Sequence, residues 1–332
     1  MKLASIFISL AIITAIGLFV YSTDPCSETD KTSCTKCADC VCCSHRSNCA
    51  ADSTADFFGG AEAAEAFNYP HMTYLPEFPK EMSFANEKVP LNRPDVQEAL
   101  DREILSNTFW HTNTLLILKR RARLFPEIEK ILKECGVPDD FKYLCVAESN
   151  LSPTAKSPVG AAGLWQIMEK TGKELGLEIN EDVDERYNFE KSTRAACQYL
   201  KKSYRALGSW TLVAAAYNGG QGRVTKNIET QKQNNYYDIM WVEETGRYVF
   251  RILALKLIMN NPQLYGFNLT DADSYHSTKY YEVKTDTTIA DIAQFAIDNK
   301  TTYKAIKTLN PWLKQNKLSN PKRKEYTILV PR

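Results

Sequence analysis

Between residues 92 and 267 the apolar side chains recur three and four positions apart, and strand-like alternation is scarce. That period belongs to helices with one buried face, so the stretch reads as an all or mostly α domain. Residues 95–105 begin just beyond Pro94, carry Val96, Ala99, Leu100 and Ile104 at helical spacing, and set Asp95 and Glu98 near the positive end of the helix dipole. Residues 114–122 predict a second helix, broken near Pro126, and residues 127–134 a third that ends before Gly136. Residues 139–148 follow. Residues 164–175 stop at Gly176, residues 191–207 at Gly208, and residues 211–217 at Gly219-Gly220. The last long helix, 243–260, opens on acids and buries Val249, Ile252, Leu253 and Leu257.

Glu148 stands out on this frame. It is the only carboxylate in the run from Phe141 to Asn150, and Phe141, Leu144 and Cys145 precede it by seven, four and three residues. On a helix it therefore shares the apolar face, where desolvation disfavours the charged form and raises the pKa, as a general acid near neutral pH requires. Periodicity alone is equally met by an acid near a helix end, salt-bridged or pointing to water.

A chain of 332 residues suggests two domains, and 41 basic against 40 acidic residues leave no basic surface for nucleic acid or an anionic membrane. Lys2 followed by the apolar stretch 3–21 reads as an export signal, cleaved or retained as an anchor, since roughly 18 to 20 apolar residues also suffice to span a bilayer. Cys26, Cys34, Cys37, Cys40, Cys42, Cys43 and Cys49 crowd behind it. An exported cluster reads as disulfides or a variable surface tail ahead of a metal site, although Cys34, Cys37, Cys40, Cys43 and His45 have short ligand-like spacings; no metal ligand and no cofactor is assigned. Residues 50–80, with Gly59-Gly60 and scattered prolines, read as a tether, the alternative being a segment docked through Phe57, Phe58 and Tyr74.

Three motifs bear on Glu148. Ser157-Pro158-Val159-Gly160 runs through Gly163-Leu164-Trp165-Gln166-Ile167-Met168, joining a small-residue loop to a predicted helix whose first turn presents Gln166. Ala216-Tyr217-Asn218 puts a phenol and an amide at a helix end, and Tyr248 lies inside the last helix. Each has an ordinary structural explanation alone.

In this order, with Glu148-Ser149, they resemble the lysozyme-like domain of the lytic murein transglycosylases, closest to the membrane-bound D group. The resemblance implies that Glu148 is the acid/base, that Ser157 lies near its carboxylate and the product sugar, and that Gln166, Met168, Tyr217, Asn218 and Tyr248 line the cleft. Trp165 stands where many relatives have Met. A hydrolytic glycosidase needs two carboxylates. The resemblance instead implies one, with the muramic C6 hydroxyl as an internal nucleophile held in reach. Glu169, Glu174 and Glu243 are the acids that would favour a hydrolase if one folded beside Glu148.

Tyr280-Tyr281-Glu282-Val283 and Tyr326 to Pro331 alternate like strands and bracket helical stretches at 289–299 and 302–309. This β-α-α-β order resembles a lysin-motif (LysM) domain. Thr285-Asp286-Thr287-Thr288-Ile289 stands for its Gly-Asp-Thr-Leu start, with the glycine missing, and Leu309-Asn310-Pro311 matches its Leu-Asn-Pro turn.

The expected architecture is mainly α: residues 1–21 a signal or anchor, 22–80 the Cys-rich segment and linker, 81–268 a lysozyme-like helical catalytic domain, and 278–332 a small α+β LysM-like domain. The expected protein is exported to the cell envelope or periplasm and cleaves peptidoglycan glycan strands without water. Its membrane contact is the N-terminal segment if uncleaved. A lysozyme-type muramidase and a non-catalytic wall-binding protein are the alternatives; a decayed enzyme would have lost motif residues that are all present here.

Overall fold

Phe84 and Phe141, both fully buried with ring centroids 5.2 Å apart, fix one corner of the helical core. Phe84 comes from a two-strand hairpin, β1 (Ser83–Phe84) and β2 (Glu87–Lys88), whose turn residues Ala85 and Asn86 both have positive φ, 50° and 67°. Such a turn matches the twist of a tight hairpin. The computed structural model describes residues 75–332. The apolar stretch 3–21, the cysteines from Cys26 to Cys49, and Phe57, Phe58 and Tyr74 of the proposed tether lie outside the described residues. Among the described residues no helix is long and apolar enough to cross a membrane.

Eight helices follow the hairpin: α1 (Pro94–Phe109), α2 (His111–Cys135), α3 (Phe141–Ser149), α4 (Glu169–Glu174), α5 (Phe189–Leu207), α6 (Trp210–Gly219), α7 (Gln221–Gln231) and α8 (Glu243–Asn260). Helix α8 is the axis. Tyr248, Val249, Ile252, Leu253, Ala254, Leu255 and Ile258 bury it nearly all round, and α1, α3 and α6 pack on it. The fold is mainly α, as its periodicity predicts.

Two helix predictions need correction. Pro126 does not break the chain, because α2 runs through it to Cys135. Ile117, Leu118, Leu124, Ile128, Ile131 and Leu132 keep one buried face on both sides of the proline, and that packing outweighs the lost backbone bond. The helix ends at Gly136, left-handed at φ 65°, with Val137 N–H bonded to the Leu132 carbonyl at 2.9 Å. The second correction concerns residues 164–175, of which only Glu169–Glu174 is helical. Gly163 at φ 78° and Gln166 at φ 45° turn the chain back on itself, and Ala162 pairs with Ile167 as an antiparallel bridge. Leu164, Trp165 and Ile167 are buried through this turn, which imitates helical spacing in the sequence.

At the C-terminal end, β3 (Tyr280–Thr285) pairs antiparallel with β4 (Tyr326–Pro331), Tyr280 opposite Pro331, and α9 (Ile292–Asp298) and α10 (Tyr303–Leu309) lie between them in sequence. This is the expected βααβ order. Asn310 explains the Leu-Asn-Pro turn: fully buried, its amide donates to the Ile306 and Leu329 carbonyls and accepts from Leu329 N–H, tying the end of α10 to β4. The small core of Ile292, Ile306, Trp312, Leu318, Ile328 and Val330 also takes in Val183 from the helical part.

Candidate active site

The sequence places Glu148 on the inward face of α3, and the fold brings Tyr248 of α8 against it. The Tyr248 hydroxyl donates to Glu148 Oε1 in a short hydrogen bond. Burial dominates the electrostatics and pushes the Glu148 pKa from 4.5 up to about 7, against the pull of the Tyr248 bond and of Arg251, with Glu244 adding a smaller push upward. A carboxyl of this kind is protonated through the lower part of the neutral range and can still release its proton.

Arg251 lies one turn beyond Tyr248 on α8 and is itself held by carboxylates, at 3.5 Å from Glu244 and 3.7 Å from Glu103. Glu103, 1% exposed, also takes Arg247 Nε at 2.7 Å. A buried carboxylate thus steadies two arginines one turn apart on α8. Glu169, Glu174 and Glu243 each reach a neighbouring cation instead, Lys173 at 2.6 Å, Lys170 at 4.0 Å and Arg247 at 3.6 Å. Among the described residues, the acid whose charge bears on Glu148 is Glu244.

Tyr217 of α6 donates its hydroxyl to the Trp165 carbonyl at 2.7 Å. Burial and then the nearby Glu148 charge push its pKa well up, so it stays a neutral phenol beside the carboxyl. Trp165 itself is fully buried, with Nε1 bonded to Thr193 Oγ1 at 2.9 Å. Its departure from the resembling proteins therefore falls in the core and not on the cleft surface. Asn218 accepts from Thr245 Oγ1 of α8 at 3.0 Å through its side-chain oxygen, and no acceptor among the described residues takes its amide hydrogens.

Gln166 does not open a helix. At φ 45° it sits in the tight turn and donates to the Gly163 and Ala155 carbonyls at 2.8 and 3.2 Å. Its donors support the loop, which leaves its oxygen as the group that can meet a sugar hydroxyl. Ser157 accepts from Ala161 N–H at 3.0 Å, closing its own loop, and is not hydrogen-bonded to Glu148. Met168, 44% exposed, precedes α4 on the open side of the turn.

The same turn is braced from below by groups that sequence reasoning missed. Cys145, one turn before Glu148, donates its thiol to the Leu164 carbonyl at 3.5 Å. Arg186 bonds the Gly160 and Ile167 carbonyls at 2.8 and 3.1 Å. Arg251 and Glu244 could have been read from their three- and four-residue offsets to Tyr248 once α8 was assigned. Glu103 and Arg186 carry no local signal. Among the described residues no cluster of three or more His, Cys, Asp or Glu side chains could hold a metal ion.

Residues 126–240 match the Transglycosylase SLT domain family. Over those residues the chain is similar to transglycosylase SLT domains. Residues 281–332 match the C-terminal LysM-like domain of soluble lytic transglycosylases. The membrane-bound lytic murein transglycosylase D of Escherichia coli is 28% identical over 222 residues, 64% of this chain and 48% of that protein. The peptidoglycan transglycosylase gp16 of Escherichia phage T7 is 35% identical over 118 residues, 35% of this chain and 9% of that protein. The chain thus spans about half the length of the first of these relatives. Among solved structures, the 70-kDa soluble lytic transglycosylase of Escherichia coli aligns with TM-score 0.35 and 24% identity, over 45% of this chain and 26% of that one. The SLT match takes in α3, the tight turn and α6, and therefore Glu148, Ser157, Gln166, Met168, Tyr217 and Asn218; Tyr248 lies beyond it on α8.

Proposed function

We propose that this protein is a peptidoglycan lytic transglycosylase in which Glu148 serves first as acid and then as base. Glu148 gives its proton to the glycosidic oxygen between N-acetylmuramic acid and N-acetylglucosamine, and that bond breaks. The carboxylate so formed takes the proton of the muramic C6 hydroxyl, whose oxygen closes on C1 to give a 1,6-anhydro ring. No water enters and Glu148 ends protonated, as it began. The observation that carries this reading is the carboxyl itself, held at about 7 by burial and hydrogen-bonded by Tyr248.

A hydrolase would need a second carboxylate at about 5 to 9.5 Å to act as nucleophile or to activate water. Glu244, the acid that Glu148 feels, is engaged by Arg251 and largely open to solvent, which favours the internal C6 nucleophile. Ser157, Gln166, Met168, Tyr217, Asn218 and Tyr248 are proposed to line the glycan cleft, with Asn218 N–H and Gln166 Oε1 as the polar contacts. The proposed setting is the bacterial envelope, where the enzyme remodels wall glycan, with residues 81–268 catalytic and residues 278–332 a glycan-contacting LysM-like unit. The test is the chemical form of the new muramic end, an anhydro ring against a reducing sugar.

Tyr248 gives a second, pH-resolved expectation. Its hydroxyl favours the ionised form of Glu148, so Tyr248→Phe raises the Glu148 pKa. Since cleavage needs the protonated acid, kcat/KM falls above pH 7 in the native protein, and this alkaline limb moves to higher pH in Tyr248→Phe. The rate on the plateau drops about tenfold, because the carboxylate that forms as Glu148 gives up its proton loses the donor that stabilises it. A pH–rate profile of glycan cleavage reads both changes; an unmoved limb contradicts the coupling.

A further inference from the structure

The segment from Leu177 to Tyr187 belongs to two structures at once. On one side it is built into the C-terminal unit. Val183 pairs with Leu313 as an antiparallel bridge, Asp184 N–H donates to the Trp312 carbonyl at 2.9 Å, and Lys314 N–H donates to the Asp182 carbonyl at 2.8 Å. Val183, 1% exposed, is buried in the apolar core of that unit. A polar rim surrounds this insertion: Ser319 N–H meets Asp182 at 3.1 Å, and Lys324 Nζ meets Glu178 and Glu185 at 2.5 and 3.1 Å. Exposed ion pairs contribute little by themselves, so the buried valine and the backbone bonds carry the attachment.

On the other side the same segment grips the active-site turn. Asp184, bonded through its N–H to Trp312, holds Arg186 by both carboxylate oxygens, Oδ1 to Nε at 2.9 Å and Oδ2 to Nη2 at 2.7 Å. That two-point grip fixes the plane of the guanidinium. The remaining nitrogen, Nη1, reaches the Gly160 and Ile167 carbonyls, the two flanks of the loop that carries Ser157 at one end and Gln166 at the other. Arg186 is 6% exposed and its bond to the Ile167 carbonyl is buried, so cutting it would leave that acceptor without a ready replacement. Backbone contact completes the joint, because Gly163 packs directly against the Arg186 carbonyl.

We infer that the LysM-like unit is a structural part of the glycan cleft: by seating on Val183 and Asp184 it aligns Arg186, and Arg186 is the positioning residue that holds the loop from Ser157 to Ile167 in its substrate-binding shape. The inference deepens the proposed function and rests on it only for the identity of the ligand. Glu148 stands outside this relay, since its position is set by α3 and by Tyr248 of α8. Loosening the relay therefore weakens substrate binding without altering the acid.

The test uses the full chain in three variants, Val183→Asp to unseat the C-terminal unit, Arg186→Gln to cut the relay, and Arg186→Lys to keep the charge without the planar fork. Hydrogen exchange of peptides covering residues 155–168 reads the loop directly, and exchange at Asp184 and Lys314 reports the seating. In Val183→Asp and Arg186→Gln the loop is expected to lose about tenfold or more in protection while α1, α2 and α8 keep theirs. On a soluble glycan oligomer KM is expected to rise about tenfold with the alkaline pH limb unmoved, and Arg186→Lys to recover part of the loss. Unchanged loop protection in an unseated Val183→Asp protein overturns the inference, as does a loss of protection spread evenly over the whole helical domain. If the native protein cleaves no glycan, the proposed function fails, and the exchange measurement still decides the relay.

Discussion

Replacing Glu148 by glutamine is expected to reduce glycan cleavage about 10³-fold and, at the same time, to make the protein more stable at pH 8. The first effect follows from removing the group proposed both to give and to take a proton, for which losses of about 10² to 10⁴ are usual. The second follows from linkage. The folded protein holds the Glu148 proton more tightly than the unfolded chain, with a pKa of about 7 against 4.5. Folding is therefore favoured by this group below pH 4.5, loses that contribution as pH rises through the interval, and has lost it all above 7. At pH 8 the half-buried carboxylate is a liability of up to about 3 kcal/mol. Glutamine keeps the shape and an acceptor for Tyr248 without the charge. Thermal unfolding of both proteins should show a higher melting temperature for Glu148→Gln at pH 8 and a shrinking difference toward pH 4.5. A variant that keeps near-native cleavage removes Glu148 from the mechanism.

Gly163→Ala is expected to be the most damaging added methyl among the described glycines. At φ 78° the backbone is in the left-handed region, and an added Cβ would stand 2.0 Å from the Arg186 carbonyl oxygen. That neighbour is backbone locked between Asp184 and the turn, so nothing flexible can yield. A loss of about 3 kcal/mol or more is expected in chemical denaturation, with cleavage reduced because the same contact seats the Ser157 to Ile167 loop. Gly160→Ala is the control. It has a similar φ of 89° but open space around the added methyl, and should cost only about 1 kcal/mol. Equal effects at the two positions would show that backbone conformation, and not the contact with Arg186, governs this loop.

The parts of the fold that were legible in the sequence are those in which one face of a helix is buried. The bounds of α8, 243–260, follow from its acids and its apolar spacing, and α3 carries Glu148 inward as the offsets to Phe141, Leu144 and Cys145 require. Helix α7 was not legible, because Val224 is its one buried residue and polar side chains carry no period. Residues 164–168 misled for the opposite reason: a tight turn that buries Leu164, Trp165 and Ile167 has the spacing of a helix. At the site, Glu148 and Tyr248 could be singled out, but not their electrostatic company, since Glu103 reaches Arg247 across 144 residues of chain. Arg186 was invisible in the same way, with partners at Gly160 and Ile167 that only the tertiary fold brings near.

One carboxyl, Glu148, is proposed to cleave the glycan by closing the muramic C6 oxygen onto C1. Mass analysis of the fragments released from purified peptidoglycan in heavy-oxygen water decides between this route and hydrolysis. Muramic ends lighter than reducing ends by one water molecule, resistant to borohydride and free of the heavy isotope are the expected result. Reducing muramic ends that carry the heavy oxygen would contradict it and assign the site to a hydrolase.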